Sequence, residues 1–245
     1  MKKLQKLTFL AVTSLFLVTA CDTASSDAKK VDVKKVDIKK VVKETTEVVK
    51  KEAASSASKF KEGKHYVEIF PEMQTDSAMG KVEVVELMWL GCPHCYTLEP
   101  IMLAYKKNHP DFVEFKQVPA MLNPSWAADA KTYYIAEILD PTGEKDLVTK
   151  IFKSIHEQKR RLRTPDAAKR FFVQQGYTEE QVINSANSMA FQAKIKRAQE
   201  IGESSQAQSV PTVIINGKYR TSPYMAGSNE DLMKIVDMLT KQEKK

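Results

Sequence analysis

The spacing of apolar residues changes period along this chain, and each change marks an element or its end. His65 to Phe70 alternates as a strand until Pro71 and the polar run from Gln74 to Gly80 break it. Lys81 to Leu90 predicts a second strand, nearly continuous in apolar residues from Val84, as expected of a strand buried on both faces. Leu98, Ile101, Met102 and Tyr105 then recur at helical spacing, and that helix ends near Asn108-His109-Pro110. Asp111 to Val118 alternates again and stops at Pro119.

Alternation is then absent until residue 211. Asn123-Pro124 opens a helix through Trp126, Ala130, Tyr133, Tyr134 and Ile138 that Asp140-Pro141 closes. Leu147, Val148, Ile151, Phe152 and Ile155 form the next apolar face. Thr164-Pro165 starts a helix ended by Gly176, and Thr178-Glu179-Glu180-Gln181 is a capping box for another. Ala190 to Ile201 continues helically to Gly202. Strand signals resume with Thr212 to Ile215, the Asn216-Gly217 turn and Lys218 to Arg220, a hairpin pattern. Ser228 to Asp231 caps a last helix with Leu232, Ile235, Val236 and Leu239 inward.

The N-terminus reads differently. Met1 to Lys6 is basic, and Leu7 to Ala20 is an apolar stretch too short for a comfortable membrane span, the pattern of an export signal. Its end, Val18-Thr19-Ala20-Cys21, resembles the lipobox of bacterial lipoproteins, which implies cleavage before Cys21 and lipid on that thiol; an ordinary soluble export signal is the alternative. Asp22 resembles an inner-membrane retention signal. From Asp22 to about Lys64 the composition changes sharply, and within it Val31 to Glu44 forms an imperfect five-residue repeat, beginning Val31-Asp32-Val33-Lys34-Lys35, that matches neither helix nor strand and predicts a solvated tether. The formal net charge is +7 and the sequence pI about 9.1. Much of the lysine excess lies in the signal and tether, and the repeat offers no aromatics for base stacking, so nucleic acid is not an expected partner. The remainder is long enough for one domain with a real core.

Chemistry concentrates in Glu86-Leu87-Met88-Trp89-Leu90-Gly91-Cys92-Pro93-His94-Cys95-Tyr96. Besides Cys21, Cys92 and Cys95 are the whole cysteine inventory. Pro93 fits the first turn of a helix, where no backbone donor is needed, which puts Cys92 just ahead of the helix. Free N–H groups and the positive end of the helix dipole stabilise an anion there and lower a thiol pKa. Zinc would need two further ligands, and His65, His109 and His156 are scattered singly. A c-type haem needs CxxCH, and Tyr96 occupies the histidine position. A structural disulfide closing so short a loop contributes little stability. A catalytic dithiol is the favoured reading, with no cofactor beyond its own disulfide. Glu86 is out of place in an apolar strand: it is either solvent-facing on an edge or a buried acid beneath the site, with Lys116 as a plausible ion-pair partner. Local sequence alone favours a trans Val210-Pro211 bond.

The run from Val84 to Tyr96, with Ser209-Val210-Pro211-Thr212 and Asn216-Gly217-Lys218-Tyr219, resembles the DsbA family of bacterial thiol oxidases from about Lys64 to the C-terminus. The resemblance implies an α/β chain, thioredoxin-like with an inserted all-helical domain. The expected parts are a lipoprotein signal over 1–21, a tether over 22–63, a thioredoxin-like domain over 64–120 and 204–245, and a helical insertion over 121–203. It implies that Cys92 is the attacked sulfur, Cys95 its internal partner, and the Pro93-His94 dipeptide the tuning element. Glu86 would assist proton traffic, and a cis Pro211 would free the Val210 backbone to bind substrate. The implied activity is the introduction of disulfides into exported polypeptides with free cysteines, with a DsbB-type membrane protein as reoxidant. The implied location is the periplasmic face of a bacterial membrane, or the periplasm if the signal is an ordinary one. A disulfide isomerase or reductase of the same fold stays open, as does a membrane-anchored binding or chaperone-like lipoprotein with a structural disulfide.

Overall fold

The computed structural model describes residues 59–244. The signal region, Cys21, Asp22 and the repeat lie outside the described residues. Five strands form one sheet in the order β1-β5-β4-β2-β3: β1 is Val67–Glu68, β2 Val82–Met88, β3 Val113–Pro119, β4 Thr212–Ile215 and β5 Tyr219–Thr221. β2 runs parallel to β3 and antiparallel to β4, so both its edges are paired and its residues are buried on both faces. That is why its apolar run is nearly unbroken.

The first strand is shorter than the alternation predicts. Only Val67 and Glu68 pair with β5, Ile69 N–H adds one bond to the Lys218 carbonyl at 2.7 Å, and Phe70 points into solvent ahead of a cis Phe70–Pro71 bond. β3, on the sheet edge, tolerates Pro119 as its last residue because an edge strand need not donate on its open side. The hairpin joining β4 and β5 turns through Asn216 and Gly217, both with positive φ; a Cβ on Gly217 would lie 2.4 Å from the Met73 carbonyl oxygen.

Eight helices are described: α1 Pro93–Asn108, α2 Pro124–Leu139, α3 Leu147–His156, α4 Pro165–Gln174, α5 Glu179–Asn187, α6 Met189–Ser204, α7 Pro223–Ala226 and α8 Asn229–Glu243. Caps explain most of their starts. Asn123, Thr164, Thr178, Ser188, Ser222 and Ser228 each accept a hydrogen bond from the backbone of the first turn, and Thr178 with Gln181 forms the expected capping box. Gly202 does not end α6, which continues to Ser204: the residue keeps helical φ, and a glycine stops a helix only where the chain turns left-handed, as Gly176 does after α4. The short α7 has no counterpart in the sequence expectations.

Packing divides at the sheet. Val82 and Val84 face Leu98 and Met102 of α1 and Leu232, Ile235 and Leu239 of α8, whereas Val85 and Leu87 belong to the core shared with α2 to α6. Packing also reaches back past residue 64. Phe60 is buried in the first of these cores and Lys59 pairs with Asp231 at 2.9 Å, so residues 59–63 belong with the domain rather than the tether.

Candidate active site

β2 ends at Met88, and Trp89-Leu90-Gly91 carries the chain into α1. Cys92 is the N-cap of that helix, with extended backbone (φ −86°, ψ 120°), and Pro93 is its first residue. The Cys92 N–H closes the turn on the Trp89 carbonyl at 2.9 Å. This is the placement that Pro93 predicts: a sulfur in front of a helix whose first amides have no internal acceptor.

Both cysteines are free. Their sulfurs are not equivalent. Cys92 is pulled down to about 6, chiefly by a hydrogen bond from the Cys95 thiol, then by the backbone amides of Cys95 and His94 and by the His94 imidazole, against an opposing effect of burial. Cys95 is pushed far up, first by burial and then by its hydrogen bond to Cys92 and the charge there. An attacked sulfur is expected to be exposed, and Cys92 departs from that. Its sulfur does not stand free in solvent: the residue is 6% exposed and Cys95 1%. Pro93 and His94 are exposed beside it, so access is along one side only.

That side is bordered by the loop before β4. The Val210–Pro211 bond is cis, and Cys92 Sγ lies 3.6 Å from the Val210 carbonyl oxygen. Some 118 residues of sequence separate these two groups, and the β2–β4 pairing brings them together.

Glu86 is 1% exposed, in an interior strand rather than on an edge. Lys116 is not its partner. The register sets Lys116 opposite Val85 and Gln117 opposite Glu86, so successive side chains on β3 point to opposite faces. Lys116 pairs instead with Asp76, with Glu83 at 2.7 Å and with Glu114 at 3.1 Å. Gln117 Nε2 donates to Glu86 Oε2 at 2.9 Å and to Glu99 Oε2 of α1 at 2.8 Å. Burial and the nearby Glu99 charge push Glu86 up to about 8, and burial pushes Glu99 up to about 7. Each carboxyl keeps an Oε1 with no hydrogen-bond partner. Glu99 and Gln117 escaped the sequence reading. A helical period that places Leu98 and Met102 inward was the available signal for Glu99, and the strand register was the signal for Gln117.

The helical layer grips the same loop. His156, in the last turn of α3, donates from Nε2 to the Leu90 carbonyl at 2.8 Å and stacks on Tyr96 with centroids 4.8 Å apart. Trp89 donates from Nε1 to Asp129 Oδ2 at 2.7 Å and stacks on Trp126 at 4.5 Å. Asp129 also takes Arg163 Nε at 3.2 Å. Trp126 of α2 is therefore packed against the core as a support for Trp89.

Residues 84–239 match the DSBA-like thioredoxin domain. The thiol:disulfide interchange protein DsbA of Pseudomonas aeruginosa PAO1 is 32% identical over 191 residues, 78% of this chain and 89% of that protein. The Burkholderia cepacia protein of the same name is 33% identical over 181 residues, 74% and 84% of the two chains. The crystal structure of Pseudomonas aeruginosa DsbA superposes with a TM-score of 0.71 at 32% identity, covering 76% of this chain and 96% of that one. The Neisseria meningitidis oxidoreductase NmDsbA1 superposes with a TM-score of 0.65 at 27% identity, covering 74% and 93%.

Proposed function

This chain belongs to the DsbA family of thiol:disulfide interchange proteins, and we propose that it introduces disulfides into exported polypeptides through the Cys92–Cys95 pair. The observation that carries the assignment of the pair is the inequality of its two sulfurs. Cys92 is stabilised as a thiolate at the head of α1, beside the Val210 carbonyl, and Cys95 is sealed behind it.

The reaction begins with the pair oxidised. A substrate thiolate attacks Cys92 Sγ, the bond between Cys92 and Cys95 breaks, and the electron pair leaves on Cys95. Because burial disfavours a thiolate there, Cys95 takes a proton. Glu86, neutral at pH 7 with a pKa of about 8 and close enough to act electrostatically on Cys95, is the nearby source. The second substrate thiolate then attacks the substrate sulfur of the mixed disulfide and expels Cys92, which leaves easily as a stabilised thiolate. The substrate dithiol loses two electrons and the enzyme pair gains them. An extended substrate segment binds along the Val210 backbone as an added strand.

Export fits the N-terminal signal pattern, and the Cys21 motif makes a lipid anchor on the periplasmic face of a membrane the favoured location. Among the described residues no helix is long and apolar enough to cross a membrane. A DsbB-type membrane protein would take the two electrons and restore the disulfide. Oxidation of a reduced two-cysteine peptide, followed together with the equilibrium against glutathione, tests this reading. Net oxidation with an oxidising potential supports it; reshuffling of scrambled disulfides without net oxidation would assign the chain to isomerisation instead.

A further inference from the structure

Residues 59–244 nearly balance acids against bases, yet the segment from Lys150 to Arg170 holds eight Lys and Arg against Glu157 and Asp166. Arg163 pairs with Asp129 and Lys169 with Glu179. Among the described residues, Lys150, Lys153, Lys159, Arg160 and Arg161 make no ion pair. Glu157 directs its carboxylate to the Tyr96 hydroxyl and, together with Asp166, offsets only two of the eight positive charges. Asp166 lies in the first turn of α4, where the helix dipole already favours an anion.

This charge is held in a built loop rather than a loose one. Lys159 takes a positive φ and donates from Nζ to the His156 carbonyl at 2.6 Å, Arg160 N–H donates to Ser154 at 2.8 Å, and Thr132 Oγ1 donates to the Leu162 carbonyl at 2.9 Å. The loop is tied to the dithiol at both ends. His156 and Glu157, at its start, contact Leu90 and Tyr96; Arg163, at its finish, joins Asp129 and lies 5.8 Å from the Trp89 ring. Beside it opens a cleft of about 310 Å³ lined by Lys150, Lys153 and Arg160, with Phe171 and the amides of Gln174 and Gln175 completing the wall.

We propose that this cleft docks acidic segments of the polypeptides that the dithiol oxidises, so that cysteines with Asp or Glu nearby are served first. The inference rests on the thiol-oxidase reading and names its substrate class. Guanidinium and ammonium donors pair with carboxylates, and a concentrated patch of one sign raises the local concentration of the opposite one. The concavity suits a polypeptide, with side chains that enter a cleft, better than the plane of anionic lipid headgroups.

The test uses the full chain. Two reduced peptides, each with one cysteine pair and differing only in Glu or Gln flanks, are oxidised in stopped flow at low and high ionic strength. The Glu peptide should react about tenfold faster at low salt, the lower end of electrostatic steering, and lose its advantage at high salt. Lys153→Glu/Arg160→Glu should reverse the preference, and Lys153→Gln/Arg160→Gln should abolish it, with the reduction potential and the Gln-peptide rate unchanged. Equal rates for the two peptides would overturn the proposal. So would an undiminished preference in both variants, or variants altered only in binding to phosphatidylglycerol vesicles. Should neither peptide be oxidised, the oxidase reading fails by itself. Anisotropy of the labelled peptides on Cys92→Ser/Cys95→Ser protein then decides docking: salt-sensitive binding of the Glu peptide supports it and equal binding refutes it.

Discussion

His156 and Leu90 are joined by a 2.8 Å hydrogen bond that crosses from the helical layer to the segment leading into Cys92. The carbonyl it satisfies belongs to a residue buried in the core, so no water replaces the imidazole readily. His156→Ala should destabilise the reduced protein by about 1–3 kcal/mol, the usual cost of an unsatisfied buried acceptor. Urea unfolding measures this; an unchanged midpoint would remove His156 from the scaffold.

Glu86 gives the fold a pH dependence whose sign follows from its direction. Its folded pKa of about 8 lies above the ordinary 4.5, so between those values the folded chain holds a proton that the unfolded chain releases. The stability from neutral Glu86 is complete below about pH 4.5 and is lost as pH rises through about 8. Glu99, at about 7, acts in the same direction. Glu86→Gln should therefore be more stable than the parent at pH 8, by on the order of 2 kcal/mol, with the gap closing toward pH 4. Denaturant titrations at both pH values test it, and parallel curves would contradict it.

Gly91 is required by an indole. A Cβ at this position would lie 2.3 Å from Trp89 Cζ2, and that ring is fixed by Trp126 and Asp129. Gly91→Ala should cost about 1–3 kcal/mol, in the range of an overpacked core. Trp89→Phe in the same chain should recover part of it, because a smaller ring clears the space; thermal melts of the two variants decide the matter.

The dithiol, the helix behind it and the order of strands and helices were legible because each rests on a local signal. Pro93 marks a first turn, Thr178 and Gln181 a capping box, and Asn216-Gly217 a hairpin. What depends on register or on distant packing was not. Lys116 looked like the partner of Glu86, but one residue of alternation turns it to the opposite face and presents Gln117 instead. His156 stood alone in the sequence because its partners, Leu90 and Tyr96, are 60 or more positions away. The cis geometry at Pro211 could be expected only from the family resemblance, since local preference points to trans.

Cys95→Ser, incubated with reduced substrate and oxidised glutathione to take up the two electrons, should accumulate mixed disulfides through Cys92, because no internal thiol is left to break the substrate bond. Non-reducing gels followed by mass spectrometry would locate the linkage. Recovery of none, or of adducts on other residues, would reverse the order of attack.

The claim on which the mechanism turns is that Cys92 holds negative charge at neutral pH. Its folded pKa of about 6 lies below the ordinary 9, so thiolate stabilisation of the reduced state is present above that ordinary value and is lost as pH falls through about 6. Ultraviolet titration of the thiolate in the reduced protein measures it directly. The account predicts a single transition with a midpoint near 6 that is absent from Cys92→Ser; a midpoint near 9 would contradict it.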